Sequence, residues 1–443
     1  MTHVDSLPYV TRSMAGPNLP LRGLAPSATG TAAEHKVITF REPTILLEAP
    51  KPKSMDERVI REGETVKLGR VEGDIRAENH SLIQASEGSL VLVTGTAYFE
   101  GSVEVDCDFE CGSLESKDGL VRVNGSLTVH EDIIVEEALY ARGNVKAKRV
   151  DVGGRLSVGI SLETQKVDVG GSLEVQGNVI AESVDVGGSF EALGELKLNH
   201  LDVGGSVEVG GGEVTGTIEV GGRFTSRKEL KFDRLETGGS VELSGGKGKK
   251  IEVGAMLRSK GDLDCEEMEV GGLAIVEGNL SGRTAEIGGK IRVSGDLALT
   301  SRLEVGGLAE IGGVLSGTDV EVGGVLRAAK GLLSGTVEIG GRVETAQGLK
   351  ANRIEIGKGA SCIGNLVGDV VHIDKRAQVQ DVYCSRLEAE GGSRLGKVYA
   401  ESADIGDTCV VGGLVYTKEL REGERVVHLS PPQKSGSLPP FPL

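Results

Sequence analysis

The chain has 443 residues, 66 acidic against 49 Lys and Arg, and a net charge of −17, a balance that argues against nucleic acid, which asks for a basic face. Tryptophan is absent, aromatics make up 3% and glycine reaches 68 residues, which points to a narrow interior filled by β-branched residues and leucine. No run approaches the ~20 apolar residues of a membrane span and the N-terminus shows no apolar stretch of signal-peptide length, so the expectation is a cytoplasmic protein.

Residues 1–58, with Pro8, Pro17, Pro20, Pro26, Pro43, Pro50 and Pro52, have the composition of a disordered N-terminal tail. One apolar patch interrupts it: Val37, Ile38, Phe40, then Ile45, Leu46 and Leu47, followed by Lys51 and Lys53. Two readings stand, a short binding motif for a partner or a membrane surface, and an extra strand laid on the first coil of the repeat region.

Residues 59–420 repeat. Alternation begins at Leu68-Gly69-Arg70-Val71-Glu72-Gly73-Asp74-Ile75, and stepping back from Gly153 by 17 residues lands on Glu136, Gly119 and Ser102. The frame survives there while the motif fades, as expected of capping coils. From Gly153 the motif is regular. A Gly-Gly or Gly-x pair starts at Gly153, Gly170, Gly187, Gly204, Gly221, Gly238, Gly254, Gly271, Gly288, Gly306, Gly323, Gly340 and Gly357, in steps of 17 with one of 16 and one of 18. A fixed period of this length predicts a solenoid.

Within one copy, Val167-Asp168-Val169-Gly170-Gly171-Ser172-Leu173-Glu174-Val175, apolar residues alternate with charged ones on both sides of the glycines. That pattern puts the apolar set on one face of two short strands. The glycines read as a corner that needs φ > 0. A further glycine about six residues on (Gly177, Gly194, Gly261) marks a second corner and an apolar residue after it a third strand. The fold class predicted is all-β: a single-stranded parallel β-helix, about 17 residues per triangular coil and roughly twenty coils. Stacking should then make ladders of Val152, Val169, Val186 and their successors, and of Leu156, Leu173, Phe190, Val207 and theirs.

The acid two residues before each first glycine recurs thirteen times, from Asp151 to Glu355. A solvated negative stripe and a cation-binding surface both fit; the acid sits mid-strand, unlike the turn aspartates of calcium β-rolls. Six cysteines are scattered, with Cys265 and Cys362 at different phases of the coil, which predicts free thiols in a reducing compartment. The histidines form no pair at ligand spacing, and Gly245-Gly246-Lys247-Gly248-Lys249-Lys250 lacks the phosphate-loop pattern, reading instead as a basic loop bulging from a corner. No catalytic, cofactor-binding or metal-ligating set is expected.

Toward the C-terminus Val-Tyr recurs at Val382-Tyr383, Val398-Tyr399 and Val415-Tyr416. Tyr383, Tyr399 and Tyr416 should therefore stack on one column, either closing the bore or forming an end surface for self-assembly. Residues 421–443, ending in Pro439-Pro440-Phe441-Pro442-Leu443, read as a Pro-rich extended tail.

Glycine-rich coils of Val-acid-Val alternation between Pro-rich tails resemble the bactofilins, polymer-forming cytoskeletal proteins; the nearest matches are Leu68–Ala77 and the Val-Tyr coils of 366–416. The resemblance implies a right-handed β-helix that joins end to end into nucleotide-independent filaments. It also implies a scaffold for envelope or shape-determining proteins, with membrane contact through the N-terminal tail. The chain's own partner would be itself, and the two tails would regulate assembly. Two alternatives remain in view. One is a left-handed hexapeptide-type acyltransferase, which the period of 17 and the isolated histidines count against. The other is a non-polymerising β-helix spacer or surface protein.

Overall fold

The computed structural model describes residues 57–442. Among them no helix occurs, and every strand pairing is parallel, arranged as a β-solenoid of about 22 turns with ~17 residues per turn. The predicted N-terminal patch lies outside the described residues.

One coil shows the plan. Its three walls are the strands Lys166–Val169, Ser172–Val175 and Val179–Ile180. They pair with Ser183–Val186, Ser189–Ala192 and Leu196–Leu198 of the next coil. At the inter-strand spacing of ~4.8 Å, about 22 such coils rise on the order of 100 Å.

The predicted ladders are present. Val152, Val169, Val186 and Val203 stand in register on the first wall, all with 0% exposure. On the second wall Leu156, Leu173, Phe190, Val207, Phe224 and Val241 do the same. There the two phenylalanines alternate with valines, so each ring has a smaller neighbour above and below. The same complementarity appears on the third wall, where the Phe232 ring fills the space a side chain on Gly248 would need. A lone coil would leave its inward set open on both sides; only the stack buries it. Two inward positions of the first wall are polar, Ser116 and Thr237; Thr237, almost fully buried, donates its hydroxyl to the Gly222 carbonyl at 3.0 Å.

The Gly-Gly corners form for a reason other than the one expected. Neither Gly170 nor Gly171 has positive φ. Instead the backbone ladder runs straight through the corner, Gly170 N donating to Val152 O at 3.0 Å and Gly171 N to Gly154 O at 2.9 Å. Two coils this close leave no room for a Cβ between them. Positive φ is reserved for other turns, as at Gly211 and Gly212 (φ +123° and +122°).

At the second corner, polar side chains tie one coil to the next. Asp262 Oδ1 accepts from Asn279 N (2.7 Å), Asn279 Oδ1 from Asp296 N (2.9 Å), and Asp296 Oδ1 from Val314 N (2.8 Å). A short side chain thus reaches an amide where the strands have parted, the satisfaction that a half-buried donor requires.

The structure corrects three further sequence expectations. The Lys-rich stretch is no bulging loop: Gly246–Val253 is a strand, with Lys247 bound to Asp264 and Lys249 to Asp233, both at 2.7 Å. The glycine-rich, charged composition hid the alternation from the eye. The solenoid also exceeds 59–420, starting with Glu57–Ile60 and adding Val427–His428 and Gln433–Lys434 to the last coil. Third, the tyrosine column holds two tyrosines, not three.

Candidate functional site

The C-terminal coils place the tyrosines. Tyr383 pairs with Tyr399 on the outward side of the third wall, and the rings stack with centroids 4.8 Å apart and planes 13° from parallel. The next rung of that column is Val415; Tyr416 pairs with Ala400, one residue on, in the column of Gly368 and Cys384 that faces inward. Alternation sends neighbouring residues to opposite faces, so a one-residue offset moves Tyr416 to the bore. It packs partly buried against the end of the core, with the Lys434 ammonium 5.9 Å from its ring centroid. Tyr383 and Tyr399 thus form a flank, and Tyr416 a plug. Burial, then Tyr399 and Asp381, pushes the Tyr383 hydroxyl above its usual range.

The acid ladder is real and outward. Asp151, Asp168, Asp185 and Asp202 are in register, and the column continues beyond Glu355 through His372, Glu388 and Asp404. Cations two residues earlier in the strand cut it into segments: Arg149 reaches Asp151 at 2.8 Å, while Arg302 holds both Glu304 (3.0 Å) and Glu321 (2.5 Å). Where such a cation is missing, repulsion shows. Partial desolvation and the flanking Asp168 and Asp202 raise the Asp185 carboxyl, and desolvation with Glu219 raises Asp202. Glu338 is raised chiefly by a hydrogen bond shared with Glu355, whose own carboxyl Arg353 holds low.

His372 is the histidine inserted in this ladder. Its Nε2 lies 3.2 Å from Asp374 Oδ1 and its Nδ1 3.5 Å from Glu388 Oε2. His372, Asp374 and Glu390 bring ligand atoms within 4.8 Å of one another, the geometry from which a cation could be held. In this arrangement both ring nitrogens face carboxylates and Glu390 faces Lys375 at 3.9 Å, so the cluster closes on its own polar contacts. Continuing the ladder by 17 residues from Glu355 finds His372; spacing between histidines does not.

Along the third wall runs a shallow groove of about 870 Å³, lined by Lys197, Glu213, Lys231, Lys247 and Asp264 among others. On successive rungs they run Lys197, Glu213, Lys231, Lys247 and Asp264, with Lys247 bound to Asp264 at 2.7 Å. Comparison with known proteins finds no matching family, no matching curated protein and no matching solved structure.

All six cysteines are free thiols. Burial pushes Cys111, Cys265, Cys362 and Cys384 up to about 12, which makes them poor nucleophiles and poor ligands. Cys265 donates weakly to the Glu267 carbonyl at 3.1 Å.

The two ends differ. The first coil, Glu57–Ile60, Thr65–Leu68 and Arg70–Val71, bonds through one edge to the coil above. The last coil carries only the two-residue strands Val427–His428 and Gln433–Lys434, with Tyr416 and Lys434 over the bore.

Proposed function

We propose that this chain is a structural protein, a bactofilin-like scaffold that assembles end to end into filaments without nucleotide. The observation that carries the reading is the first coil. Its three strands are in register with the coil above and have the same three-walled section as the rest, so among the described residues its outer edge offers the N–H and C=O rows that another solenoid could continue. The acid ladder favours ends over flanks as the point of contact, because like-charged sides repel.

The partners of this reading are the chain itself and, through the segment holding Val37, Ile38, Phe40, Ile45, Leu46 and Leu47, a membrane surface or envelope and shape-determining proteins. Free buried thiols suit a reducing cytoplasm. The test is negative-stain microscopy of the purified full chain without nucleotide. Filaments of uniform width, longer than the ~100 Å of one solenoid, are expected. Isolated short rods at every concentration and salt would refute assembly.

A further inference from the structure

For most of its length the outward column of the third wall carries charged or small residues, with single apolar ones such as Ile180 and Leu332. Near its end come four apolar residues in succession: Val367, Tyr383, Tyr399 and Val415. Val367 occupies an outward position and yet is 2% exposed.

A segment of this chain is seated on that strip. Gln433–Lys434 pairs with Val415 and Tyr416, and Ser435 N donates to Tyr416 O at 2.8 Å. The chain then doubles back, and the Phe441 ring meets Tyr383 edge-on, centroids 6.0 Å apart and planes at 65°. Gln433 and Tyr383 are three rungs apart, ~14 Å, and the seven steps from Lys434 to Phe441 reach about 22 Å in polyproline form, so the path is unstrained. Leu438, Pro439 and Phe441 each precede a proline, which holds them extended.

We propose that this strip is a recognition groove for an extended Pro-Pro-Phe-Pro segment, and that its resident occupant is the chain's own Ser435–Pro442, folded back as a latch. Stacked tyrosines suit such a ligand: a proline-rich segment arrives with little conformational entropy to lose and presents flat apolar faces to aromatic rings. The Phe441 edge on the Tyr383 ring adds the favoured aromatic geometry. Because the latch is tethered within a few residues of the groove, its effective concentration is of millimolar order. The groove is read by peptide binding, so it stands or falls independently of filament formation.

The experiment uses a labelled peptide spanning Lys434–Leu443 titrated against three proteins: the full chain, the chain ending at Ser435, and that shortened chain carrying Tyr383→Ala. The shortened chain should bind with a dissociation constant below about 1 mM, the level at which a tethered copy stays docked. The full chain should bind at least about twofold more weakly, to the same degree at every protein concentration, because its own segment competes in cis. Tyr383→Ala should lose at least about tenfold, with circular dichroism confirming an intact sheet. No binding to the shortened chain by millimolar peptide overturns the groove. Equal binding to full and shortened chains overturns the latch, as does competition that grows with protein concentration, the mark of a segment supplied by a second copy.

Discussion

A Cβ placed on Gly187 would lie 2.3 Å from the carbonyl oxygen of Gly170 in the coil before it, closer than real Cβ atoms come. Gly170 stands in the same relation to Gly153, at 2.2 Å. The obstacle is backbone held in place by the bonds on either side of it, Gly187 N to Val169 O and Gly188 N to Gly171 O, both 2.9 Å, so neither coil can yield cheaply. Gly187→Ala should therefore lower the urea midpoint by the equivalent of about 1–3 kcal/mol, the usual range for overpacking. Gly436→Ala, where nothing lies within 4 Å, should leave it unchanged. Equal effects of the two substitutions would contradict the steric account.

The acid ladder predicts an inverted pH response. Asp185 and Asp202 have raised carboxyls in the folded chain, so the folded state holds protons more tightly than the unfolded one. Their contribution to stability is fully present below the unfolded aspartate value of ~3.9 and is lost as pH rises through the folded values. Asp185→Asn should raise the denaturation midpoint at pH 7, by no more than about 1 kcal/mol, the scale of one like-charged neighbour at this spacing in water. The gain should vanish toward pH 3.5 and shrink in high salt. A midpoint at pH 7 lower than that of the parent chain would refute the repulsion.

The thiols should be silent until the fold opens. With five cysteines buried and Cys107 half-buried, and all six raised mainly by burial, the native chain should react slowly with a thiol reagent. In denaturant all six should react at once. Rapid labelling of more than one thiol in the native state would show that the walls breathe.

Core truncation should be costly on the second wall. Phe190 is 1% exposed and fills the space between Leu173 and Val207. Phe190→Ala should destabilise by about 3–5 kcal/mol. Because each coil contacts only its neighbours, hydrogen exchange should rise first in the coils flanking residue 190, while coils near residue 300 stay protected. Uniform loss of protection would mean the solenoid unfolds as one unit.

Much of this was legible from the letters alone. The 17-residue step and the Val-acid-Val alternation are direct images of the coil, and the register of Val152 with Val169 and of Asp151 with Asp168 follows from them. What failed was local. Tyr416 stands 17 residues after Tyr399, whereas the third wall advances by 16 at that point, so the repeated Val-Tyr pair marked a column that Val415 occupies. The strand Gly246–Val253 was obscured because Gly248 takes an inward place normally given to an apolar side chain, Phe232 supplying the missing bulk. The proline spacing of 421–443 resembled a tail and hid the short pairings at Val427–His428 and Gln433–Lys434. The candidate groove was half visible: sequence picked out Tyr383 and Tyr399, but nothing in it said that Phe441 would come back to meet them.

Since each strand binds its counterpart in the coil just before it, the molecule can be completed in the order in which it is synthesised. A newly emerged turn finds its template finished and needs nothing from residues not yet made. Translation and folding thus advance together, and an interrupted chain is a shorter rod with a new open rim at its growing end, not a collapsed globule waiting for a distant partner segment.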